Sequence, residues 1–125
     1  MKTLTKAEEQ IMQKLWKLEK AHVKDIIAEL PRPKPAYNTV STIIRILEKK
    51  GFVAHRAHGK THEYYPLVTK STYRKTFFSH FFQNYFSNSY LSFTSFFAKN
   101  QNLSLEELEE MQKIIEKEIK KKNNL

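Results

Sequence analysis

Three prolines within five residues, Pro31-Arg32-Pro33-Lys34-Pro35, constrain this chain more than any other feature. A proline ring clashes with the preceding helical turn and removes a backbone donor, so no helix runs through this segment. Whatever is helical before residue 31 is therefore a separate element from whatever is helical after residue 35. On the near side, Thr5 and Glu8 have the spacing of a capping box, in which a hydroxyl and a carboxylate each satisfy a free backbone N–H. Ile11, Leu15 and Leu18, with Met12 and Trp16 alongside, then recur at helical spacing to about residue 19. A second, short helix over about 23–30 has Val23, Ile26, Ile27 and Leu30 to bury. Beyond the prolines a third helix, about 36–50, turns Val40, Ile43, Ile44 and Leu47 inward and Asn38, Ser41, Thr42, Arg45 and Lys49 outward. Gly51 supplies the left-handed residue that ends it.

Two extended runs follow, 52–56 and 61–66, around Ala57-His58-Gly59-Lys60, which predicts a hairpin with its turn at Gly59. From residue 69 the pattern is helical again until Asn100-Gln101-Asn102 breaks it. Ser104 with Glu107 forms a second capping box, opening a last helix to about residue 122. The fold class is mainly α: a winged helix-turn-helix over 1–70, three helices plus a small β-hairpin wing, then a helical segment over 71–125.

Charge separates the halves. The net charge is +9, and residues 1–70 carry 14 basic side chains against 7 acidic ones. An anionic partner is expected for the first half. With no cysteine, disulfides, thiolate metal sites and cysteine nucleophiles are excluded. The first residues precede no apolar run, so a signal peptide is not expected. No stretch approaches the ~18 apolar residues of a membrane span, so membrane insertion is not expected and the location should be cytoplasmic.

The major groove of DNA admits one helix whose exposed face carries hydrogen-bonding groups. The third helix offers Tyr37, Asn38, Thr39, Ser41, Thr42 and Arg45, mostly in the N-terminal half that such helices insert. Asn can bond adenine bidentately, Arg guanine, and a Thr methyl can touch thymine. Arg56, His58 and Lys60 in the wing are expected to meet phosphates. The competing view of this stripe is an ordinary solvated face, but it lacks the Glu/Lys pairs usual there until Glu48 and Lys49.

Eleven of the sixteen aromatic residues lie between Tyr73 and Phe97. Such rings bury about 150–250 Å² each when covered, and a segment this size cannot shield them all, which favours pairing with an identical segment. The expected dimer surface is Phe78, Phe82, Phe86, Phe93 and Phe97 with Leu105, Leu108, Met111, Ile115 and Ile119 of the last helix. An aromatic-lined cofactor or lipid cavity fits less well, because no convergent polar groups accompany the rings; no cofactor is expected. Membrane-surface helices would carry more bases than Arg74 and Lys75 here.

Thr5 to Glu8 with Trp16, the run from Tyr37 to Val53, and Glu63-Tyr64-Tyr65-Pro66 together resemble the penicillinase repressor and methicillin-resistance regulator family, which has copper-responsive relatives. The resemblance covers nearly the whole chain and implies a homodimeric repressor on a palindromic double-stranded DNA operator. Where several members place a basic residue two positions after the helix threonine, this chain has Ser41. Better-known members are cut by a membrane sensor-protease at an Asn-Phe bond in the fifth helix. Here Phe96-Phe97 stands at that point, which makes it the implied cleavage region.

His55, His58 and His62 could offer nitrogens to a metal, but only Glu63 adds a nearby carboxylate and no metal site is assigned. No nucleophile-base set, paired carboxylates or Gly-rich phosphate loop is present, so the chain is not read as an enzyme. The alternative function is an adaptor whose basic winged helix binds an acidic protein. Selective binding of duplex DNA over random competitor discriminates the two.

Overall fold

In a computed structural model describing residues 2–124, the prolines separate helices as expected. α1 (Lys6–Leu18) opens on the capping box: Glu8 N donates to Thr5 Oγ1 at 3.2 Å, and Thr5 N to Glu8 Oε1 at 2.8 Å. α2 (Val23–Glu29) is likewise capped, His22 N donating to Asp25 Oδ2 at 3.0 Å. Lys34 Nζ reaches back to the carbonyls of Ala28 and Leu30, closing the end of α2 where the prolines begin. α3 (Tyr37–Lys49) ends at Gly51, whose φ of 84° is in the left-handed region.

The hairpin is longer and its turn tighter than the sequence suggests. β1 (Val53–His58) pairs antiparallel with β2 (Thr61–Pro66), from Val53 opposite Pro66 to His58 opposite Thr61. Only Gly59 and Lys60 remain in the turn. Gly59 has φ 62° and Lys60 no positive φ, the pattern of a type II′ turn, which suits the right-handed twist of paired strands. Phe52 stays outside the strand and is buried. Ala21, between α1 and α2, bridges to Tyr64 through two backbone bonds of 2.8 and 2.9 Å.

The remainder is helical: α4 (Lys70–Phe86), α5 (Tyr90–Asn100) and α6 (Leu105–Asn123). The run of helical pattern from residue 69 to 100 is broken once, at residues 87–89. Ser87 and Asn88 adopt φ of 49° and 61°, and Ser89 Oγ caps α5 by accepting from Ser92 N. Asn tolerates that conformation better than most residues because its short amide can bond locally. α6 opens on the expected box of Ser104 and Glu107.

The chain divides into two compact units, the first ending at Ser79 and the second beginning at His80. The first closes around Ile11, Met12, Leu15, Val23, Ile26, Leu30, Val40, Ile44, Leu47, Phe52 and Val53, drawn from three helices and the hairpin. Each such side chain contributes about 1.5–3 kcal/mol on full burial. Tyr73 of α4 belongs to this core. Its hydroxyl accepts from Leu4 N at 2.9 Å, and its ring lies 5.9 Å from Trp16 and 5.8 Å from Phe52. Trp16 in turn donates Nε1–H to the Val68 carbonyl at 2.9 Å. Glu8, 4% exposed, receives Lys50 Nζ on both oxygens at 2.8 Å, joining the start of α1 to the end of α3. Burial of Glu8 opposes its ionisation, but the bonds from Lys50 and Thr5 outweigh it and hold the carboxyl below its ordinary range.

The second unit has no comparable core. Phe82 is buried, with Tyr90 at 4.6 Å and Phe93 at 6.0 Å between ring centroids, and Phe86 stands edge-on to Phe93 at 5.3 Å. After Phe82 no described residue is buried.

Candidate nucleic-acid interface

The inward stripe of α3 fixes what its other side presents. Val40, Ile44 and Leu47 are sealed in the core, which leaves Tyr37, Asn38, Thr39, Thr42 and Arg45 exposed and Ser41 half-buried. The first turn holds no acid. Thr42 Oγ1 donates to the Asn38 carbonyl at 2.8 Å, so its methyl is the group left to a partner. Arg45 Nε leans back on the Ser41 carbonyl at 3.4 Å. Among the described residues no protein group holds the side chains of Asn38 and Thr39, so their hydrogen-bonding capacity is open.

Strand alternation sorts the wing. His55 and Ala57 share one face with His62 and Tyr64, while Arg56 and His58 share the other with Thr61, Glu63 and Tyr65. The first of these faces turns to the helices: Tyr64 is buried, and His55 Nδ1 bonds the Glu48 carboxylate of α3. Burial, with Glu48 nearby, raises the Tyr64 phenol above its usual range. Arg56 and His58 are exposed on the far face, with Arg56 5.7 Å above the Tyr65 ring and His58 Nε2 3.3 Å from Glu63 Oε1. Lys60 stands in the turn beside α3.

Between α3 and the wing lies a cleft of about 220 Å³, lined by Tyr37, Ser41 and Arg45 of α3, by Lys60, Thr61, His62 and Tyr64 of the wing, and by Val23 at the start of α2. Sequence reasoning placed neither Thr61 nor His62 in the site. The signal for His62 was the alternation itself: once Tyr64 is known to face inward, His62 must share its side. Thr61 lies on the opposite face and lines the cleft from the strand end beside the turn. His62 stacks on His55 with centroids 4.1 Å apart. Among the described residues no set of three or more His, Asp or Glu is placed to hold a metal ion.

The expected dimer residues fall in two groups. Phe82 is already covered within one chain, so it offers a partner almost nothing; Phe86, Phe93 and Phe97 are half-buried and Phe78 is 42% exposed. On α6, Leu105, Leu108, Ile115 and Ile119 are exposed and Met111 is half-buried. Leu108, Met111, Ile115 and Ile119 line an apolar groove of about 410 Å³ with Thr94 and Ala98 of α5. Phe96 is half exposed and Phe97 half-buried on the same helix. Among the described residues no helix is long and apolar enough to cross a membrane.

Comparison with known proteins agrees with this layout. The methicillin resistance regulatory protein MecI of Staphylococcus aureus (strain N315) is 28% identical over 115 residues, covering 91% of this chain and 94% of its own length. The penicillinase repressor of Bacillus licheniformis is 31% identical over 115 residues, covering 90% and 89%. The solved DNA-binding domain of the repressor BlaI superposes with a TM-score of 0.50 at 28% identity, covering 56% of this chain and 87% of that domain. The winged helix is thus the fold of the first unit. The sequence profile described as penicillinase repressor matches residues 4–117, and the chain belongs to the penicillinase repressor family.

Proposed function

We propose that this chain is a sequence-specific DNA-binding transcriptional repressor, acting in the cytoplasm as a homodimer on a near-palindromic operator. The observation that carries the reading is the face of α3: polar, free of acid in its first turn, open to solvent and flanked by a basic wing. The similar proteins are repressors, and the superposed domain is named for DNA binding. Asn38, Thr39 and Thr42 stand where base edges would be read, and Arg45 and Lys60 add charge beside them. The second unit supplies the pairing surface, because Phe96 of α5 and Leu105, Leu108, Ile115 and Ile119 of α6 stay exposed within one chain. Two linked recognition helices would sit one DNA turn, ~34–36 Å, or a multiple apart.

Release follows from cutting the link between DNA binding and pairing. Phe96-Phe97 offers no asparagine amide, so a membrane sensor-protease acting here would cut within residues 92–99 with a specificity of its own. The decisive experiment selects genomic fragments with purified protein. Enrichment of near-palindromic sites over random competitor is the expected result, and no enrichment overturns the repressor reading. Mass spectrometry of the chain recovered from derepressed cells tests release, since an intact chain would mean another signal.

A further inference from the structure

We infer that the cleft between α3 and the wing seats one backbone phosphate of the DNA, and that Arg45 belongs to this phosphate seat and not to the base-reading face. The inference rests on the repressor reading above and changes the role that residue type alone would give Arg45.

The first argument is geometric. A helix in the major groove with a hairpin beside it must have a sugar-phosphate strand running between them, because that strand separates the major groove from the neighbouring minor groove. The space between α3 and the wing is the cleft. Its lining includes Tyr37, Ser41, Thr61 and His62 with the cationic residues Arg45 and Lys60, and no carboxylate among them. The Thr61 hydroxyl itself donates to the His58 carbonyl at 2.9 Å. Glu48, farther along the same side of α3, is occupied by His55. At ~30 Å³ per water, the volume has room for a phosphate group and bridging waters.

The second argument is helical periodicity. Tyr37, Ser41 and Arg45 are spaced by four and form one row, on the wing side of α3. Asn38 and Thr42 do not line the cleft; each follows a cleft residue, Tyr37 or Ser41, by about 100° of helix rotation. Arg45, seven residues after Asn38 and close to it in azimuth, is drawn toward the cleft by its lean. The Arg45 stem leans on the Ser41 carbonyl, within its own row. Base reading then falls to Asn38, through its free amide, to Thr42, through its outward methyl, and to Thr39 on the flank. Phosphate contacts fix register, and these shorter side chains read sequence.

The test uses the full chain and a random-sequence duplex pool. Selection yields a preferred duplex, and affinities are measured by fluorescence anisotropy across a salt series for wild type, Arg45→Ala, Arg45→Lys, Lys60→Ala and Asn38→Ala. Arg45→Ala and Lys60→Ala should each weaken every duplex alike, roughly tenfold, and reduce the salt slope by about one. Selection repeated with either should return the same preferred sequence. Arg45→Lys should restore most of the affinity and the salt slope and return the same preferred sequence, because a phosphate accepts a point charge. Asn38→Ala should leave the salt slope and remove preference at one base pair. If Arg45→Ala keeps the salt slope and loses one base preference, or Arg45→Lys fails like alanine, the phosphate seat is overturned while the repressor reading stands. If wild type enriches no sequence, the repressor reading fails, and the salt slopes on the unselected pool still decide whether Arg45 meets phosphate.

Discussion

The first unit seals fourteen hydrophobic side chains around α1, α2, α3, the hairpin and the opening of α4. The second holds half of the chain's sixteen aromatic rings, yet beyond Phe82 none of its described residues is buried. Composition does not explain the contrast, since both units are well supplied with apolar residues. Arrangement does: the first unit brings helices and strands together from several directions, so each element covers its neighbours. The second has helices whose apolar stripes outnumber the surfaces available to cover them. One unit covers its own apolar side chains, and the other leaves many of its own exposed.

The largest effect that would break this comparison comes from dividing the chain. A fragment ending at Ser79 should remain folded and monomeric but lose about 10²–10⁴ in operator affinity, the avidity of a linked pair. Sedimentation velocity and anisotropy check both halves of that outcome; a fragment that binds like the whole chain would show that the second unit adds no linkage. Within the cores the same asymmetry should appear at single residues. Ile26→Ala, fully buried in the first unit, should cost about 2–5 kcal/mol in chemical denaturation at any protein concentration. Ile115→Ala, exposed in one chain, should instead lower stability in a manner that more protein reverses.

Glu8 sharpens the comparison through pH. Its folded carboxyl titrates below the ordinary range, so its contribution is complete above the unfolded value near 4.5 and is lost as pH falls through the folded value. Glu8→Gln should cost roughly 1–3 kcal/mol at neutral pH, by leaving Lys50 without its anion, and should flatten the acid limb of the denaturation curve. An unchanged acid limb would remove Glu8 from the account. The smallest effect should come from the wing. Gly59 has φ 62° with open space around its Cα, so Gly59→Ala meets backbone strain alone, about 1–2 kcal/mol. That strain should register in DNA affinity more than in global melting, because the turn is distant from the core.

Much of this was legible in the residues themselves. Thr5 with Glu8 and Ser104 with Glu107 announce helix starts by local chemistry, and the structure uses both. The α3 stripe was readable because burial at one spacing forces exposure at the other. The break at residues 87–89 was hidden, because neither glycine nor proline marks it and Tyr85, Phe86 and Tyr90 continue an apolar pattern across it. Tyr73 looked like the first of the aromatic run, yet its hydroxyl and ring are claimed by Leu4, Trp16 and Phe52, contacts up to 69 residues away in sequence. His62 escaped for a related reason. A hairpin pattern gives two faces, and only the bridge from Ala21 and the burial of Tyr64 decide which one meets α3.

The seat of Trp16 has a practical consequence. It is the only tryptophan in the chain, wedged against Tyr73 and hydrogen-bonded to Val68, and it lies wholly within the first unit. Its emission therefore watches one unit of the molecule and is blind to the other, whereas far-ultraviolet ellipticity counts the helices of both. Followed together through a denaturant titration, the two signals should separate when the second unit comes apart first and coincide when pairing locks the units into one transition. The chain carries its own optical label for telling which half has let go.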